Sequence, residues 1–274
     1  ETGLREPVLV SSAPNVLSAL GMKLPGAGKK FGVSTIANIV GLAYEVPTVD
    51  VLSQSEGPRV TMTDWMRYWK KPPEQRIPLL NVLSLSLAGT PMQQDVRAPA
   101  AVRSIDLATT AWPSDILPRP EVQVYFLMSP AGCYTDFHLD FGGSSVWYHM
   151  LSGQKTFLLV PPTLANLAAF VDWSSSKKQS TFFAHMASGV QRLTVSAGDT
   201  IFLPGGWPHA VATPEDSIAV GGNFLHGGNI PLQLEVWRME EHLGVQAQFR
   251  YPLYKQLMWR TAQHYTSVLQ AQLP

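Results

Sequence analysis

The run from Cys133 to His149, CYTDFHLDFGGSSVWYH, limits the fold more than any other part of the chain. Aromatic and β-branched residues on both sides mark it as strand, and it holds the only His-x-Asp or His-x-Glu of the sequence, His138 and Asp140. Residues two apart on a strand face the same way, so an imidazole and a carboxylate are expected side by side in one cavity. With a second imidazole from elsewhere they form the two-histidine, one-carboxylate set that holds Fe(II) and leaves positions open. Taken alone, such a pair is more often a satisfied polar pair than a metal site, and the neighbouring motifs decide between the two.

Downstream, Val195 to Val211 contains a Gly198-Asp199 turn, an apolar strand, a Pro204-Gly205-Gly206 reversal and His209 entering the next strand. In a jelly roll, strands distant in sequence lie together, so His209 is expected to reach the same metal from the opposite sheet. Between these motifs, Gly153 to Pro162 reads as a turn and then a strand that opens with Lys155 among apolar residues. A lysine directed into a cavity needs an anion, and a dicarboxylate co-substrate supplies one.

The four motifs occur in the order Tyr134-Thr135-Asp136-Phe137-His138-x-Asp140-Phe141-Gly142-Gly143, Gly153-x-Lys155-x-Phe157, Gly206-Trp207-x-His209-Ala210-Val211 and Gly221-Gly222-Asn223-Phe224-Leu225-His226. This order resembles the Jumonji-C domain of the lysine demethylases, most closely the branch with the F-box and PHD-finger histone demethylases. The likeness runs from about Asn81 to about Tyr265. It implies a mainly β chain with flanking helices around a double-stranded β-helix (jelly-roll, cupin-like) core. The implied Fe(II) ligands are His138, Asp140 and His209. Lys155 would pair with the distal carboxylate of 2-oxoglutarate, with Thr135 and Tyr148 donating hydroxyl hydrogen bonds.

Asn223 resembles a family position close to the metal, and Asn81 one near the co-substrate. For Asn81, a strand-end asparagine bonded to backbone is an equal reading. Asp136 is expected on the strand face of His138 and Asp140, either orienting them or facing solvent. His149, His185, His226, His242 and His264 lack a second ligand at suitable spacing and read as structural or exposed.

The implied reaction consumes 2-oxoglutarate and O2, hydroxylates an N-methyl carbon of lysine and releases formaldehyde. The implied partner is the methylated tail of histone H3, in the nucleus, with nucleosome contacts through segments outside this chain. Gly222 to His226, Asn229 to Leu234 and Phe249 to Tyr254 resemble the F-box relatives, favouring mono- and dimethylated lysine 36 of H3 over lysine 9 or 27. Two other classes stay open: a protein hydroxylase with the same triad, and a Jumonji-C domain that has lost catalysis. The second would be expected to lack a ligand or the lysine, and this chain keeps them all.

At 274 residues and 45% hydrophobic content the chain can bury a sizeable core. Twenty basic residues balance twenty acidic ones, so net charge gives no nucleic-acid footprint. The single cysteine, Cys133, excludes an internal disulfide and a cysteine zinc site, and fits a reducing compartment. No run has the length of a membrane span, and a start at Glu1 suggests a piece of a longer protein. Nothing in the sequence sets the oligomeric state.

Three parts are expected: an α/β flanking segment over 1–110, the jelly-roll core over 111–230 and a helical segment over 231–274 packed on that core. In the first part, Ala13 to Lys30 reads as a loop, Val33 to Leu42 as a helix, Val46 to Leu52 as extended chain, Thr63 to Trp69 as a helix whose rings are core, and Leu79 to Leu85 as a strand. Further on, Thr163 is expected to cap a helix to Trp173, and Ser174 to Ser180, with Lys177 and Lys178, reads as an exposed loop.

Overall fold

The computed structural model describes residues 3–24, 31–175 and 180–272. Alternating apolar and polar residues give a series of mostly short strands: β1 Val8–Val10, β2 Glu45–Val46, β3 Val49–Asp50, β4 Ser55–Glu56, β5 Val60–Thr61, β6 Leu80–Ser86, β7 Tyr125–Ser129, β8 Tyr134–His138, β9 Ser145–Ser152, β10 Gln154–Leu159, β11 Gln191–Ser196, β12 Thr200–Leu203, β13 His209–Ala212 and β14 Ser217–Phe224. An eight-stranded sheet runs β1-β12-β9-β14-β7-β6-β3-β4, and a four-stranded sheet runs β11-β10-β13-β8. Every pairing in both is antiparallel, and the two sheets form the jelly roll. Ahead of residue 111, β1, β3, β4 and β6 belong to the larger sheet, with β6 paired to β7 and β1 to β12, while β2 and β5 pair only with each other.

The helices are α1 Val16–Ala19, α2 Val33–Val40, α3 Met62–Trp69, α4 Ala100–Ile105, α5 Leu107–Thr110, α6 Leu164–Ser175, α7 Ile230–His242 and α8 Tyr254–Gln270. Thr61 caps α3 by accepting from the Asp64 amide at 3.2 Å, and Trp65 is fully buried, so the rings of this helix serve the core. Thr163 Oγ1 accepts from the Asn166 amide at 3.2 Å at the start of α6. Two expectations change. The loop from Ala13 contains a helical turn, α1, entered through Asn15 at φ 65°, a left-handed geometry that asparagine tolerates. The extended run Val46 to Leu52 divides between β2 and β3, with Pro47 and Thr48 outside both. Residues 25–30 of the expected first loop, and 176–179 with Lys177 and Lys178, lie outside the described residues.

Strand periodicity divides the core into layers. On β10, Phe157 and Leu159 face the space between the sheets, while Leu158 packs outward with Phe170 and Trp173 of α6. Lys155 shares the inward phase of Phe157. On β9, Tyr148 and Met150 face inward and Trp147 outward, onto Trp65, Val82 and Phe126. Among the described residues no helix is long and apolar enough to cross a membrane.

Candidate metal centre and its anion pocket

A cavity of about 510 Å³ lies between the sheets. His138, Asp140, His209, Thr135, Tyr148, Lys155 and Asn223 line its wall together. Asn81 does not: it sits 2% exposed on β6 opposite Val49, its Oδ1 without a hydrogen-bond partner, while Leu83 and Ser84 of the same strand reach the cavity.

The ligand atoms of His138, Asp140 and His209 lie within 4.8 Å of one another, the only such cluster among the described residues. His138 and His209 are register partners on neighbouring strands of the four-stranded sheet, with ring centroids 4.2 Å apart. The second imidazole therefore comes from the adjacent strand and not, as expected, from the opposite sheet. Asp140 lies just beyond the end of β8, at the start of the turn Phe141–Gly143, and its Oδ2 is 3.8 Å from His209 Nε2.

A bulge sets the phase of this strand. Between the pairs His209↔His138 and Val211↔Thr135, two steps along β13 match three along β8. Thr135 and His138 thereby both face the cavity although three apart, and Phe137 packs outward on Phe183 at 5.2 Å between centroids. The expected shared face of Asp136 and His138 is broken by the same extra residue. The Asp136 carboxylate accepts from Tyr134 Oη at 2.9 Å and from the Phe137 amide at 2.8 Å, the amide freed by the bulge. Its influence on the metal ligand runs through the backbone, because the Asp136 carbonyl lies 2.8 Å from His138 Nδ1.

The Trp207 carbonyl holds His209 Nδ1 in the same way at 3.0 Å. A carbonyl only accepts, so Nδ1 carries the proton in both rings and Nε2 presents its lone pair. Burial, reinforced by the neighbouring His138 ring, pushes the His209 imidazole down to about 4, keeping it neutral and ready to ligate. Asn223 Nδ2 donates to Asp140 Oδ1 at 3.3 Å and to Ser144 Oγ at 3.0 Å, which leaves Oδ2 for the metal side. Two imidazoles and one carboxylate oxygen, each held from behind, fit Fe(II).

At the other end of the cavity Lys155 is 2% exposed. Its Nζ donates to Ser129 Oγ at 2.7 Å and Thr213 Oγ1 at 3.1 Å, and among the described residues no carboxylate is within ion-pair reach. Burial lowers its ammonium to about 8. Tyr148 Oη, also buried, has no hydrogen-bond partner. A cation without a counter-charge beside an unused hydroxyl donor suits an anionic guest.

Trp207 belongs to the His209 motif, though the sequence does not show the part its carbonyl plays, whereas Ser129 and Thr213 stand outside every motif of the site. Thr213 carries a weak signal, following the strand that His209 opens, and a serine ending an apolar strand carries none. His149 Nδ1 lies 2.8 Å from Thr200 Oγ1 and is structural; His226 is buried away from the triad.

A family model described as a cupin-like domain matches residues 54–227. The chain belongs to the cupin-like domain family. Behind the cupin-like domain, residues 228–272 match a Jumonji helical domain, in agreement with the Jumonji-C resemblance of the motifs. Across 97% of its length the chain is 39% identical to "Lysine-specific demethylase 2A" of Xenopus tropicalis, of which it covers 24%. It is 40% identical, over 90% of its length, to "Lysine-specific demethylase 2B" of Mus musculus, covering 20% of it. A third relative is "Histone lysine demethylase PHF8" of Danio rerio, 38% identical over 96% of the chain and 25% of the relative. The chain thus spans about a quarter of the length of these relatives or less. His138, Asp140, His209 and Lys155 lie in the cupin-like domain, while Gln248 and Phe249 reach the cavity from the helical domain.

Proposed function

We propose that this domain is an Fe(II)- and 2-oxoglutarate-dependent lysine demethylase acting on the methylated tail of histone H3, on chromatin in the nucleus. The observation that carries the proposal is one cavity with a three-ligand cluster at one end and a buried, uncompensated lysine at the other. The names of the relatives, all lysine demethylases, support the same reading.

His138, Asp140 and His209 would hold Fe(II), and Lys155 the distal carboxylate of 2-oxoglutarate, with Tyr148 and Thr135 as hydroxyl donors. When bound, the metal with 2-oxoglutarate and O2 supplies the oxidising power, yielding succinate and CO2 and converting the N-methyl carbon to formaldehyde. The chain's own part is to hold and shield. The carbonyls of Asp136 and Trp207 keep the two Nδ1 protons in place, and Asn223 fixes the Asp140 carboxylate. Leu127, Val146, Ile201, Leu203 and Val211 wall the cavity and exclude water from the reacting centre. Tyr125, Leu139, Phe141 and Phe249 form the apolar side that a methylated lysine would pass.

The motif likeness to the F-box branch favours mono- and dimethylated lysine 36 of H3 over lysine 9 or 27. The test is a panel of methylated and unmethylated H3 peptides with iron and 2-oxoglutarate, followed by mass spectrometry and a formaldehyde assay. Loss of methyl mass with equimolar formaldehyde is expected. A gain of one oxygen on unmethylated peptide with no formaldehyde would make the domain a protein hydroxylase, and no turnover on any peptide would make it a binding module.

A further inference from the structure

We propose that Glu240 of the helical domain is a positioning residue for the metal site, its carboxylate clamping the turn that aims Asp140. The inference rests on the reading of Asp140 as a metal ligand. Glu240 lies on α7 and is 8% exposed. Its Oε1 accepts from the Gly142 amide at 2.6 Å, and its Oε2 is buried without a hydrogen-bond partner. Burial pushes the carboxyl up to about 7. Arg250 is near enough to oppose that shift, yet its N–H groups go to the carbonyls of Val245 and Glu240 and toward the Glu241 carboxylate.

A half-satisfied carboxylate is an expensive choice for a buried helix face, where an aliphatic side chain would pack at no such cost. What it secures is one backbone amide. The turn after Asp140 closes through Gly143 N–H to the Asp140 carbonyl at 3.1 Å and Ser144 N–H to the Phe141 carbonyl at 3.2 Å. The Gly142 amide takes no part in these bonds, and Glu240 is its partner. Gly142 and Gly143 have φ of 61° and 64°, and a Cβ on either would come within 2.9 Å of Tyr251 Cβ or Gln233 Cα. The helical domain therefore presses on the turn directly, and glycine is required there both for the left-handed geometry and for the close approach. The far side of the turn is also engaged, since the Gly143 carbonyl abuts Gly205 in the reversal leading to His209. Without the carboxylate the buried Gly142 amide is left orphaned, and the turn has reason to relax. Asp140, two residues upstream, would then keep only the Asn223 bond on Oδ1.

The test is Co(II) binding to the metal-free chain, followed by titration calorimetry and the visible absorption of the bound ion, below the melting temperature of every variant. Glu240→Met keeps volume and removes the acceptor; it is expected to weaken Co(II) binding about tenfold or more and to alter the spectrum, as loss of a ligand-orienting contact does. Glu240→Gln keeps an acceptor for Gly142 and is expected to bind within about threefold of wild type. A lower melting temperature with wild-type affinity and spectrum in Glu240→Met would reduce Glu240 to packing and overturn the proposal. Equal loss in Glu240→Gln would overturn it too, because the acceptor would not be what matters. Should Glu240→Met not fold, Glu240→Asp carries the test, since it draws the carboxylate back from Gly142 by one methylene. Asp140→Ala is the separating control: if it binds Co(II) as wild type does, the ligand assignment itself fails.

Discussion

The two ends of the cavity are built on different principles. At the metal end the functional groups sit where strands stop: His138 closes β8, Asp140 begins the turn after it, and His209 opens β13. Each is held from behind by a backbone carbonyl or a side-chain amide, which fixes the direction in which its free ligand atom points. At the anion end Lys155 lies inside β10, between sheets, with two hydroxyls for company and, among the described residues, no carboxylate within ion-pair reach. The first is an arrangement that needs a metal to neutralise a carboxylate, the second one that needs a carboxylate to neutralise an ammonium. With a divalent cation at the first, a linear guest carrying an acid group at each end would meet a positive charge at both.

The largest expected effect breaks the metal end. His209→Ala removes one of three ligands and should abolish turnover and weaken metal binding by at least about a hundredfold. Undiminished demethylation in this variant would remove His209 from the site. The anion end should respond in the opposite sense in two assays at once. Lys155→Met is expected to raise the 2-oxoglutarate requirement beyond reach while making the metal-free domain more stable by about 2–3 kcal/mol at neutral pH, because a buried unpaired charge is replaced by a packed thioether. Denaturant unfolding checks the second effect. A variant that loses both co-substrate binding and stability would show Lys155 to be a structural cation.

The pH dependence of the same contrast follows from sign. The Lys155 ammonium sits at about 8 in the folded chain against 10.5 for an exposed lysine, so between those values the unfolded chain binds the extra proton. Stability therefore rises with pH across that window, and the gap between Lys155→Met and wild type should close from pH 8 toward 10.5. Buried groups that do not sense Lys155 cancel in this comparison, whereas Cys133, which burial pushes up to about 12 and Lys155 pulls down, contributes to the gap in the upper part of the window. Binding of 2-oxoglutarate should go the other way, weakening as pH rises through 8, with proton uptake visible in calorimetry in buffers of different ionisation heat.

The two ends also differ in how far the sequence foretold them. His138, Asp140 and His209 are visible because a metal needs particular side chains at particular places in a short motif. Lys155 is visible because a charge within an apolar strand is conspicuous. The sheet membership of His209 is a matter of which strands pair, which the sequence does not carry, and the facing of Asp136 departs from strict alternation because a single extra residue in β8 changes the face of everything before it. Asn81 shares a strand with two cavity-lining residues and is not one of them, a matter of register that the sequence does not carry. Glu240 carries no sign of its role in the sequence, because a carboxylate on a helix ordinarily faces solvent and only the fold brings α7 against the turn.

The smallest effect should fall on the hydroxyls that hold Lys155. Thr213→Val keeps shape and β-branching just after β13 and removes the acceptor at 3.1 Å, leaving the 2.7 Å bond to Ser129. One neutral partner of an ammonium is worth about 1–2 kcal/mol, so the 2-oxoglutarate requirement should rise about fivefold to thirtyfold with the metal affinity unchanged. The partner loss also removes a group that favours the charged lysine. The pH above which co-substrate binding weakens should therefore move below 8 in Thr213→Val. A shift in metal affinity instead would mean that the two ends are mechanically coupled through β13, which carries His209 at its start, and the division between a rigid metal end and an independent anion end would fail.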